Sequence, residues 1–110
     1  MDDMQRQALI LVSHIYLTCG KVEKGIAILE GLREQLAADP YLPRALSFAY
    51  VRTRRYEDAL READIALARA ADRRERRCSL LLKAQALWGL GRDAERRQVV
   101  AELLAEGGHE

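Results

Sequence analysis

Leu46-Ser47-Phe48-Ala49-Tyr50-Val51-Arg52-Thr53-Arg54-Arg55-Tyr56-Glu57-Asp58-Ala59-Leu60 is the stretch that decides how this chain folds. Apolar residues recur at helical spacing, a short polar turn follows, and a small residue sits on each side of it. Antiparallel helices approach to about 8–10 Å only where the side chains at their crossing are short. The stretch therefore predicts a helical hairpin. Working outward, an offset of 34 residues places Val12 over Leu46, Ser13 over Ser47, Tyr16 over Tyr50, Gly25 over Ala59 and Leu29 over Ala63. An offset of 37 carries Ser47 onto Ala84, Tyr50 onto Leu87, Arg54 onto Gly91 and Ala63 onto Val100. The three extra residues fall in the Arg-rich stretch from Arg73 to Arg77. A period in this range means a stacked array of like units.

Composition agrees with an all-α chain. Among 110 residues, 49% are hydrophobic and 32% charged, enough for one core-bearing domain and too polar for a membrane protein. Pro40 and Pro43 are the only prolines, Ala and Leu dominate, and no convincing period-two pattern signals a strand. No apolar run approaches the roughly 20 residues of a membrane span. The acidic start Met1-Asp2-Asp3 is unlike a signal peptide, which predicts a cytosolic protein. Cys19 and Cys78 match no metal or redox spacing and are expected to be reduced, partly buried thiols.

The small residue in a leading helix, the aromatic or Leu three later, the turn, and the small residue beyond it resemble the tetratricopeptide repeat. The resemblance implies three hairpins, six helices, wound into a short right-handed superhelix with a concave groove. One domain over residues 1–110 holds repeats at about 6–39, 40–73 and 77–106. Helices are expected to end at about Thr18, then to span Val22–Ala38, Leu42–Thr53, Tyr56–Ala71, Arg74–Gly89, and Arg92 to Gly107-Gly108. Asp39-Pro40 is expected to stop the second, because the residue before proline is pushed out of helical geometry. The third repeat departs most from the pattern, with Lys83 in place of Leu and Arg96 where a small residue allows close approach.

In such arrays the leading helices line the concave face. In this register the groove residues are Ile10, His14 and Leu17, then Tyr41, Arg44, Phe48 and Val51, then Cys78, Leu81, Gln85 and Trp88. They include the only Phe and the only Trp of the chain. Each residue alone is more simply read as core. As a set they exceed what the hairpins need, because Tyr16, Leu46, Tyr50, Leu87 and Val100 already supply packing. An amphipathic partner helix, with anchors at i, i+3, i+4 and i+7, would use that surplus. No polar helix caps the array after Leu104, so a partner or a second copy, packed on Val99, Val100, Leu103 and Leu104, would complete the core.

Catalysis is not expected. His14 and His109 are the only histidines, no third group can be assigned to a Cys/His pair, and no Gly-rich phosphate loop is present. Glu57, Asp58, Glu62 and Asp64 read as a solvated helix face with Arg61 and Arg69 as partners. No metal or other cofactor is implied. Nucleic-acid binding through Arg52, Arg54, Arg55 and Arg73–Arg77 is disfavoured by a pI near 7.8.

The segment Ile15-Tyr16-Leu17-Thr18-Cys19-Gly20, followed by Lys21-Val22-Glu23-Lys24 and Ile28-Leu29, resembles the small tetratricopeptide chaperones of bacterial type III secretion, in particular the YscY class. That resemblance implies a bacterial cytoplasmic chaperone serving virulence-associated protein transport. Its partner would be a small secreted protein (YscX-like), with a further contact to the inner-membrane export gate. The PscG-type needle-subunit chaperones, which hold an amphipathic helix in such a groove, are the nearest competitor. The alternatives are a generic tetratricopeptide adaptor and a self-associating scaffold, homodimeric when no partner is bound.

Overall fold

The computed structural model describes residues 2–107; Met1 and Gly108 to Glu110, with the tail expected around His109, lie outside the described residues. Among the described residues six α-helices follow one another: α1 Asp3–Thr18, α2 Val22–Gly31, α3 Tyr41–Arg52, α4 Tyr56–Arg69, α5 Arg73–Gly89 and α6 Asp93–Gly107. No strand occurs among the described residues.

The helix starts follow from side-chain capping. Asp2 accepts the Gln5 amide at 2.8 Å while the Gln5 side chain accepts the Asp2 amide at 3.3 Å, closing a capping box at α1. Asp72 does the same for the Glu75 amide at 2.8 Å, and the Glu75 carboxylate reaches back to the Ala71 amide at 2.7 Å. At α3 the Asp39 carboxylate accepts the Tyr41 amide at 2.7 Å, and Pro40, which has no amide to satisfy, leads into the helix.

The three leading helices end in one way. The amide of Lys21 donates to the Tyr16 carbonyl at 2.9 Å, Arg55 to Tyr50 at 2.8 Å, and Arg92 to Leu87 at 3.0 Å. Each bond spans a residue in the left-handed region: Gly20 (φ +84°), Arg54 (φ +61°) and Gly91 (φ +71°). This is a Schellman closure, which satisfies the orphan carbonyls of a helix end. The turns stand 34 and then 37 residues apart, so the repeat spacing is a property of the backbone. Arg54 accepts a conformation in which a Cβ is unfavourable, whereas the other two turns use glycine.

Chain contacts divide the protein into two compact units, Met1–Ala38 and Asp39–Glu110. In the first, α1 packs along α2. A Cβ on Gly25 would lie 2.7 Å from Leu17 Cδ2 and 3.1 Å from the Ser13 carbonyl oxygen, so the crossing leaves no room for a larger residue. The returning helix α2 ends at Gly31 and not at the expected Ala38; residues 32–38 form turns. Bonds from the Leu32 amide to Leu29 and from Arg33 to Glu30 span three residues, tightening the chain there. The turns still bury Leu32 and Leu36.

In the second unit α3 packs on α4 and α5, α4 on α5, and α5 on α6. Ala59, Ala63 and Ala66 of α4 are buried, and the Ser47 hydroxyl crosses from α3 to donate to the Ala59 carbonyl at 2.8 Å. Leu46, Leu80 and Leu87 are fully buried. At α6 the expected misfit is visible in one atom: Nε of Arg96 is buried without a hydrogen-bond partner, 3.7 Å from the Asp93 carboxylate. Charge ties α6 to α5 instead, through Arg76 to Glu106 at 2.7 Å and to Glu102 at 3.7 Å. Lys83 likewise turns outward to Asp64 on α4 at 2.9 Å.

Two sequence expectations are corrected by burial. Glu62 is buried and not part of a solvated face, because it stands beside Ala59 and Ala63 on the inner side of α4. Cys19 and Cys78 are free and exposed, since one lies at the α1 turn and the other on the outer side of α5. Leu90-Gly91, just past the end of α5 at Gly89, make the turn into α6.

Candidate binding face

Within the second unit the residues expected to line a groove form two matching rows. Tyr41, Arg44, Phe48 and Val51 recur on α3 at i, i+3, i+7 and i+10, and Cys78, Leu81, Gln85 and Trp88 repeat that spacing on α5, 37 residues on. This spacing keeps each row on one helix face. The opposite sides of both helices carry the buried residues Leu46, Ala49, Tyr50, Leu80, Ala84 and Leu87.

Three large apolar side chains of these rows stay in solvent: Phe48 is 39% exposed, Leu81 49% and Trp88 69%. Arg52 lies over the Phe48 ring at 5.7 Å and Arg44 over the Tyr41 ring at 6.0 Å, so cations edge the apolar strip. Tyr41 is half-buried, and burial is the main reason its phenol titrates above its ordinary range; Arg44 opposes that shift and Asp39 adds to it. Its hydroxyl remains a neutral donor at physiological pH.

At the α5 end the strip meets a cavity of about 310 Å³ lined by Arg44, Asp72, Arg74, Glu75 and Cys78. Arg44 and Glu75 approach to 4.0 Å across it. The volume lies at the small end of ligand pockets, and four of the five lining residues are charged. The sequence reading gave Asp72 and Glu75 no part in this site; the cavity needs the α3 neighbour Arg44, which sequence spacing does not give.

In the first unit the three expected groove residues separate. His14 is exposed and Ile10 half-buried on α1, whereas Leu17 is buried against Gly25. Leu17 therefore belongs to the α1–α2 core and is withdrawn from the binding set. Of the packing residues assigned in advance, Leu46, Tyr50 and Leu87 are buried, while Tyr16 and Val100 are half-buried and Val99 takes the inner place on α6.

Several of the arginines make local contacts. Arg76 pairs with α6, Arg74 lines the cavity, and Arg55 lies 4.5 Å from the Tyr50 ring centroid and 3.4 Å from Asp58. Among the described residues no group of three or more His, Cys, Asp or Glu could hold a metal ion. No described helix is long and apolar enough to cross a membrane. No family model matches this chain, and neither a curated protein nor a solved structure matches it significantly.

Proposed function

We propose that this chain is a non-enzymatic protein-binding module whose leading helices hold the apolar face of a partner's amphipathic helix. The observation that carries the reading is the exposure of Phe48, Leu81 and Trp88 on the outer faces of two helices whose inner faces are already packed. Anchors three to four residues apart on a docked helix match two parallel rows of this kind. The Arg44, Glu75 and Arg74 cluster at the end of the rows would fix the direction and register of the guest.

In the fuller form of this reading the three hairpins wind into a tetratricopeptide superhelix, and Ile10 and His14 extend the groove. The resemblance of residues 10–36 to the YscY class then supports a bacterial, cytoplasmic type III secretion chaperone. Its guest is a small secreted, YscX-like protein or a needle subunit, kept from premature assembly, with the inner-membrane export gate as a further contact.

Trp88 is the only tryptophan, so its emission reports the site directly. Titration with a co-expressed candidate secreted protein, or with a peptide of its amphipathic helix, is expected to shift the emission to the blue. Phe48→Ala and Trp88→Ala should each weaken the complex by about 2 kcal/mol or more, roughly 30-fold, read by calorimetry. Unchanged affinity in both variants would remove the groove from the proposal.

A further inference from the structure

The formal net charge of +1 hides a division between the helices of the second unit. There α3 and α5, which bear the apolar rows, together hold seven Lys and Arg against the single acid Glu75. The return helices α4 and α6 hold four Arg against eight Asp and Glu. Two of the seven cations are turned to the return helices, Arg76 to Glu102 and Glu106, and Lys83 to Asp64. Three others edge the rows. Arg52 lies over the Phe48 ring, and Arg44 and Arg74 line one cavity with Cys78, the first residue of the α5 row. The carboxylates of that cavity are committed to the start of α5: Asp72 accepts the Glu75 amide and Glu75 the Ala71 amide, which leaves only a 4.0 Å approach of Glu75 to Arg44. Among the described residues Arg52 and Arg74 are exposed and make no ion pair.

We infer that the guest of this face is an acidic amphipathic helix, with carboxylates along the margins of its apolar side; the inference rests on the reading of α3 and α5 as a helix-binding surface. Cations stand at both ends of the face. Arg44 and Arg52 are eight residues apart on α3, about 12 Å along the axis. A guest with Asp or Glu about two turns apart, on either side of its apolar anchors, pairs with Arg52 at one end and with Arg44 and Arg74 at the other. The same cations repel a basic helix of equal apolar pattern, so charge selects among guests that the apolar strip alone does not distinguish. Single-stranded nucleic acid is also held by arginines beside aromatic rings, through base stacking. Here Arg52 takes one face of the Phe48 ring, and the row members Val51 and Leu81 offer no flat surface to a base.

The test uses the full chain and three end-blocked peptides of about 14 residues, roughly 21 Å of helix, that share one leucine face and carry Glu, Gln or Lys beside it. Trp88 emission and calorimetry at about 50 mM salt should show the Glu peptide binding at least about 10-fold more tightly than the Gln peptide, with the Lys peptide weakest; near about 0.5 M salt the gap should narrow to about 2-fold. Arg52→Glu and Arg74→Glu should each remove most of that preference. Arg97→Glu, at an exposed position on α6 and with the same change in net charge, should keep it. Circular dichroism checks that each variant is folded, and either folded variant of the face decides the matter. Equal affinity for the Glu and Gln peptides, or a preference lost equally in Arg97→Glu, overturns the acidic guest; the helix-binding face still stands if Phe48→Ala weakens the Gln peptide. A single-stranded thymidine oligonucleotide that binds more tightly than the Glu peptide overturns it in favour of nucleic acid. No binding of any peptide at about 1 mM removes the face and the inference with it.

Discussion

The second and third hairpins share a backbone plan and are held together by different physics. In α3–α4 the crossing is made of Ser47, Ala59, Ala63 and Ala66, all buried, with one hydroxyl bond between the helices. In α5–α6 the place of Ala59 is taken by Arg96, whose Nε is buried without a partner, and the helices are joined at their far ends by Arg76, Glu102 and Glu106. The same Schellman turn closes both. The turn thus sets the hairpin, and side-chain size at the crossing sets how much apolar contact it gains.

Exchange of the crossing residues should show the contrast most strongly. Ala59→Arg puts a long side chain into a site with no space, and should cost about 3 kcal/mol or more in denaturant unfolding. Arg96→Ala removes an ill-satisfied atom and should change stability by no more than about 1 kcal/mol. Equal losses would mean that the two crossings are alike after all.

The positions one residue before the small residues of the leading helices sharpen the comparison at a lower level. Leu46→Ala empties a fully buried site and should cost about 3 kcal/mol. Lys83→Ala, at the matching place on α5, breaks only a partly exposed pair with Asp64 and should cost less than about 1 kcal/mol. The turns differ more gently. Arg54→Gly relieves a left-handed arginine at the cost of a more flexible unfolded chain, for a net gain of about 0.5–1 kcal/mol, while Gly91→Ala at the third turn should lose a similar amount.

The smallest effect concerns pH at the start of α6. The hydrogen bond from Arg92 holds the Glu95 carboxyl below its ordinary range; desolvation opposes that shift, and the Arg92 and Lys83 charges add to it. A lowered folded pKa gives stability that is present above the ordinary carboxylate value and lost as pH falls through the lowered one. Mild acid should therefore loosen the third hairpin slightly before the second, and Glu95→Gln should remove that difference in amide exchange.

The turn spacing was legible in the sequence because glycine marks two of the three left-handed residues and the aromatic or Leu three positions after the small residue marks the third. The six helices and most of their ends followed. The early stop of α2 at Gly31 did not, since Leu32-Arg33-Glu34-Gln35-Leu36-Ala37-Ala38 has strong helix formers throughout and tertiary burial of Leu32 and Leu36 overrides them. The rows on α3 and α5 were legible from periodicity alone. Leu17 was misplaced by the same periodicity, because Gly25 draws it inward, and only a three-dimensional neighbour reveals that.

The recurring turn also bears on how fast this protein forms. Each leading helix is joined to its return by a bond between residues five apart, at Tyr16–Lys21, Tyr50–Arg55 and Leu87–Arg92. Closing so short a loop takes well under a microsecond, and the helices on either side meet soon after they grow. Most native contacts are then near neighbours along the chain, the topology of the fastest-folding domains. Newly made polypeptide would gain its hairpins one at a time in the order of synthesis, each before the next has been completed.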